Sequence, residues 1–230
     1  SSLGGHPMSN FLDIRNGTEN NTFYEGEYNR EVAWRLINML VNVGIETYDI
    51  VARRQVTSTV NFEDLEQADI GLSARTGWAN GQETEDAVLF SLHGNAIGSE
   101  NAGPSLNAAG VGVFTTPGED SSDKVAETLY DVFLTTPVGM HVRDASRRRK
   151  YNYGEYPHDY EANFHILREM NCTALIGEVG FFTNYNDAAL MTQPDTQAQV
   201  ALAYFKAIIQ HMDPDSVPAS TSAEEEGVYG

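Results

Sequence analysis

Two polar residues close short apolar runs in which few polar side chains are tolerated. His93 ends VLFSLH (88–93), and Glu178 ends TALIGE (173–178). An imidazole and a carboxylate at two strand ends can serve one metal centre or one acid/base pair. Gly5-His6 near the start, and Glu25 or Glu27 at the head of a helical stretch, could complete such a site. A hydrolytic zinc takes about three nitrogen or oxygen ligands and keeps one position open for water. A further carboxylate outside its coordination shell then takes the water's proton. Two histidines and two glutamates suffice for those roles. The plainer alternative for His93 is a hydrogen-bonded structural group. For Glu25 and Glu27 it is the favourable field at the start of a helix. Glu178 is harder to dismiss, because a carboxylate after five apolar or small residues is costly unless paired or functional.

The elements that must position these residues are readable from periodicity. Val32, Leu36, Met39, Leu40 and Val43 recur at spacings of three and four, predicting a helix over 23–44 that stops at Gly44. A strand is expected over 45–51, then a polar loop over 52–70 and a short helix over 72–78. Residues 86–93 and 173–178 read as buried parallel strands, and 111–115 as another strand. Helices are expected over 122–134, 159–170 and 196–212, and 98–110 is a small-residue loop. Helices alternating with short apolar strands predict a single α/β domain over 1–212. Its twisted sheet is expected to be mainly parallel, with helices on both faces. Reactive groups in such sheets gather at strand carboxyl ends. The stretch 213–230, with five acids and no apolar period, reads as an acidic, disordered tail.

Charge narrows the partners. Fourteen Lys and Arg against 33 Asp and Glu leave a net charge of −19, which disfavours nucleic acid and anionic bilayers. No apolar run approaches the roughly 18 residues of a membrane span, and no secretory signal pattern opens the chain. The one cysteine, Cys172, excludes an intrachain disulfide and a CxxC zinc site. Phosphate-loop, dinucleotide, HExxH and GxSxG patterns are all absent from the chain.

Four ordered elements resemble a known family. Gly5-His6 is followed by FYEGEYNREVAWRL (23–36), with Asn29, Ala33, Leu36, Leu40 and Gly44 at matching offsets from Glu25. Then come Leu72-Ser73-Ala74-Arg75 through Ala79-Asn80, and Ser91-Leu92-His93-Gly94-Asn95-Ala96. Last are Ile166-Leu167-Arg168 and Glu178-Val179-Gly180-Phe181-Phe182-Thr183-Asn184 with Asp187 and Leu190. Together they resemble the Amidase_3 family of zinc-dependent N-acetylmuramoyl-L-alanine amidases, which includes bacterial autolysins and phage endolysins. The resemblance implies that His6, Glu25 and His93 bind Zn2+ and that Glu178 is the general base. It also implies peptidoglycan as substrate, cut between N-acetylmuramic acid and L-alanine at the bacterial cell wall. YEGEYNR points to a phage-type hydrolase, and Arg75 and Asn80 are expected to brace the sheet edge.

Two other readings stand beside it. A zinc peptidase on a similar fold would need an arginine clamp for a terminal carboxylate, which Arg143 or Arg147 could supply. An inactive binding relative would have lost part of the catalytic set. His158 and His165 are the reserve ligands should His6 not serve.

Overall fold

The structure, a computed structural model, describes residues 23–65, 70–82, 87–97, 107–118, 120–147 and 155–214. The chain enters it through helix α1 (Glu25–Asn42), which buries Tyr28, Val32, Leu36, Ile37 and Leu40 along one stripe. Gly44 ends it with φ of 80°, a conformation that suits glycine. A short antiparallel hairpin follows, β1 (Thr47–Asp49) with β2 (Arg54–Val56). Val56 and Leu65 cover Ile37 of α1. Next are α2 (Leu72–Ala79), β3 (Val88–Asn95), β4 (Val111–Thr115) and α3 (Ser121–Thr135). After α3 come β5 (Tyr160–Glu161), α4 (His165–Glu169), β6 (Thr173–Phe181), α5 (Tyr185–Met191) and α6 (Pro194–Met212).

The four-stranded sheet runs β3-β6-β4-β5. β3 and β6 are parallel, β6 and β4 antiparallel, and β4 and β5 parallel. Alternation along β6 sorts the two faces. Leu175 and Val179 join α1, α3 and α6 in the larger core, with Val32, Leu129 and Val200. Ala174 and Ile176 join Leu89 and Leu167 on the opposite face, towards α4. Burial of each valine, leucine or isoleucine among them stabilises by about 1.5–3 kcal/mol. The α/β class and the two helical faces are as expected from the sequence.

Three expectations are revised. The stretch 159–170 is not one helix: Tyr160 and Glu161 pair with Phe114 and Thr115, and only 165–169 is helical. The strand expected over 45–51 narrows to β1, whose recorded partner is β2 rather than the main sheet. β3 and β6 also run past His93 and Glu178, to Asn95 and Phe181, so neither residue ends its strand. From 215 onward the acidic tail lies outside the described residues.

At Gly177 a helix side chain comes close against the sheet. A Cβ there would stand 1.7 Å from Tyr204 Oη, and Tyr204 is fully buried in α6. Gly177→Ala is therefore expected to cost several kcal/mol, about the scale of severe overpacking. A chemical denaturation curve measures the loss, and the double variant with Tyr204→Ala should recover part of it.

At the far end of β4 the first turn of α3 is tied by carboxylates. Asp120 accepts from Ser122 N–H (2.7 Å), while Asp123 accepts from Asp120 N–H (2.8 Å). Burial, with the charges of Asp159 and Asp120, pushes the Asp123 carboxyl from 3.8 up to about 7, against hydrogen bonds that favour ionisation. Burial also raises Asp159 and Glu161. At Asp120 burial is outweighed by hydrogen bonds from Ser122 and Thr116, so its carboxyl is lowered and acts below this window. Between pH 3.8 and about 7 the folded chain holds a proton at Asp123 that the unfolded chain has released. Stability should therefore fall as pH rises through that window. Asp123→Asn keeps the acceptor oxygen and should flatten the slope in melting temperatures taken from about pH 5 to about pH 7.5.

Candidate functional site

The site begins with strand register. β3 and β6 pair His93 directly with Glu178, on strands about 4.8 Å apart and with side chains on one face. The start of α1 is fastened beside them by aromatic packing. Phe23 stacks on Phe182 at 5.5 Å, just after β6, and packs on Tyr28 at 5.9 Å. Glu25, in the first helical turn, thereby reaches His93, with Oε1 2.9 Å from Nδ1. Glu27 is exposed, so between the two acids it is Glu25 that joins the site. The other imidazole nitrogen, Nε2, lies 3.1 Å from Ser91 Oγ.

Glu178 presents an oxygen to the same space. Its Oε2 is buried and has no hydrogen-bond partner among the described residues. Burial pushes its carboxyl up to about 7, with Glu25 raising it further while His93 and Arg143 oppose. At His93 burial alone would lower the imidazole, but the hydrogen bond and charge of Glu25 and the charge of Glu178 outweigh it and the opposing Arg75, so its pKa is raised. The group is thus a carboxylate–imidazole pair beside a carboxyl that exchanges its proton near neutrality.

The surrounding residues hold this geometry. Asp187 Oδ2 accepts from Phe181 N–H (2.9 Å) and Gly110 N–H (2.6 Å), tying the end of β6 to the start of β4. Asn184 caps α5 and donates from Nδ2 to Ala108 O at 3.1 Å. Arg75 donates from Nε to Ile70 O at 2.9 Å. Asn80 donates to Glu169 O (2.6 Å) and accepts from Asn171 N–H (2.9 Å), bracing the entry to β6. From Glu25 and His93 a cleft of about 2040 Å³ runs along β3, bordered by Arg30, Asp49 and Trp78.

Of the ligand set implied by the resemblance, Glu25 and His93 come together and His6 lies outside the described residues. Among the described residues no three His, Cys, Asp or Glu form a metal cluster. The pair nonetheless fits a zinc ion: one carboxylate oxygen and one imidazole nitrogen converge, with a buried, unbonded carboxylate oxygen nearby. The reserve ligands do not join them. His158 pairs with Glu127 at 2.6 Å and stacks on Tyr130, and His165 meets Thr76 at 3.3 Å. Arg147 opens the basic run, whose remainder, 148–150, lies outside the described residues. The contribution of Asp187 as a clasp was visible in the sequence only as one position of the family pattern.

Known proteins place this architecture. The family model "N-acetylmuramoyl-L-alanine amidase" (Amidase_3) matches residues 5–210. Among solved structures, the chain is similar to the amidase AmiC2 of Nostoc punctiforme, with TM-score 0.62 and 17% identity over 91% of this chain and 89% of that one. It is similar to the catalytic domain of the amidase CwlV of Paenibacillus polymyxa, with TM-score 0.60 and 20% identity over 83% and 86%. The catalytic domain of an endolysin targeting Clostridia difficile aligns with TM-score 0.54 and 14% identity over 83% and 89%. No curated protein matches the chain. With sheet, helices and family pattern in agreement, the chain belongs to the Amidase_3 family of N-acetylmuramoyl-L-alanine amidases.

Proposed function

We propose that the chain is a zinc-dependent hydrolase of the amide joining N-acetylmuramic acid to the first L-alanine of the peptidoglycan stem. The observation that carries this reading is Glu178 Oε2, buried and without a hydrogen-bond partner among the described residues, in register beside the Glu25–His93 pair. His6, Glu25 and His93 would hold the ion, and Glu178 would stay outside its coordination shell. Zinc, when bound, acts as a Lewis acid that acidifies water and polarises the amide carbonyl.

The chain's own groups do the proton work. Glu178 Oε2 takes a proton from the attacking water and returns it to the alanine nitrogen as that nitrogen leaves. Burial raises its proton affinity, which helps a group that must accept a proton before passing it on, and the charge of a bound ion would act in the opposite direction. Glu25 and His93 stand side by side, with Oε1 2.9 Å from Nδ1, and the packing of Phe23 on Phe182 keeps Glu25 where both groups can turn to one ion. The site of action is the bacterial wall, reached by secretion or from a phage particle. No helix among the described residues is long and apolar enough to cross a membrane.

Mass spectrometry of products released from purified peptidoglycan tests the reading. The wild-type chain should release intact stem peptides with a free L-alanine amino terminus. Glu178→Gln should lower the rate by about 10²–10⁴-fold while zinc content is retained. A chelator should abolish release and added zinc restore it. Shortened stems would instead mark a zinc peptidase, and no release from folded, zinc-loaded protein would mark a binding relative.

A further inference from the structure

One cation at the site has no role in the chemistry above. Arg143 follows the bridge between Val111 and Val142 and donates its backbone N–H to Val111 O at 2.8 Å. Its half-buried guanidinium lies 4.7 Å from the centre of the Tyr160 ring and 5.0 Å from that of Phe181. Two aromatic faces fix a planar cation without occupying its N–H edge. A Cβ on Gly112 would stand 3.4 Å from Arg143 Nη1, and Gly112 is the antiparallel partner of Glu178. Side chains of such a pair share one face, with Cβ positions about 5 Å apart. The guanidinium therefore stands on the Glu178 face, one strand away, on the side opposite His93. Its charge reaches the Glu178 carboxyl, which it lowers. Among the described residues it has no carboxylate within ion-pair distance.

We infer that Arg143 is a specificity-determining residue that receives the free α-carboxylate of the second stem residue, a D-glutamate linked through its side-chain carboxyl. The inference rests on the amidase reading. In that substrate the muramic acid carboxyl is consumed in the scissile amide, so the nearest negative charge lies on the peptide side. The Cα that bears it lies one residue beyond that of the alanine, about 3.8 Å further along the chain. That step is comparable with the roughly 4.8 Å from β6 to β4. A guanidinium fork meets a carboxylate through two parallel hydrogen bonds. The peptide then lies over β4.

The test uses the full, zinc-loaded chain and two disaccharide muropeptides that differ in one group. One ends in L-Ala-D-isoglutamate, and the other in its α-amide, L-Ala-D-isoglutamine. The wild-type chain should favour the acid by about tenfold or more in kcat/KM, chiefly through KM. Arg143→Gln should bring the ratio near one. Arg143→Lys, which keeps the charge but loses the planar stack, should retain an intermediate preference, and melting curves verify that both variants fold. A wild-type chain that cleaves acid and amide alike overturns the inference and leaves the amidase reading intact. So does an Arg143→Gln variant that slows both substrates by one factor. A wild-type chain that cleaves neither muropeptide overturns both.

Discussion

The in-register pairing of β3 with β6 is the constraint on which the site depends. It sets His93 against Glu178, and a slip of one residue would send one of the two side chains to the opposite face. The register is held from several directions. The apolar residues of β6 are buried on both faces, so the strand cannot slide without exposing one core or the other. Gly177 admits Tyr204 at one position only, and the Asp187 carboxylate grips the Phe181 N–H at the strand's end. Helix α1 then adds Glu25 through Phe23 and Phe182, so the third group is positioned by the same strand.

The proton affinity of Glu178 is set from both neighbouring strands and from α1. Burial and the charge of Glu25 raise it, while His93 across β3 and Arg143 across β4 lower it. A carboxylate left unbonded in such a place costs free energy that a purely structural residue would not impose. Two carboxyls in one site thus stand in different surroundings, one beside an imidazole and one buried without a hydrogen-bond partner among the described residues.

Much of this was readable before any coordinates, and the remainder has physical reasons for being hidden. The long helices announced themselves, because α1, α3 and α6 each bury a stripe at helical spacing. Glu178 stood out as a charge after an apolar run, although the strand continues to Phe181. A charged residue inside a strand reads as a boundary because few strands carry one among apolar neighbours. The two residues of β5 are too short to show a period, and β4 supplies the pairing that makes them a strand. Arg143 was visible as a possible carboxylate clamp, but in support of a peptidase. Its place beside Glu178 follows from the antiparallel pairing of Gly112 with Glu178, a contact between residues 66 positions apart.

That placement changes how a chain of net charge −19 can handle an anionic substrate. At physiological ionic strength exposed charges are screened over about 8 Å, so the acidic surface discourages approach without deciding what binds in the site. A half-buried guanidinium between two aromatic rings is screened far less and acts at contact distance. Recognition of the peptide's carboxylate then happens after encounter. Its effect belongs to how long the substrate stays rather than to how fast it arrives. The sheet consequently divides its labour by strand. His93 stands on β3 with Glu25 reaching it from α1, Glu178 on β6 at the centre, and Arg143 beside β4.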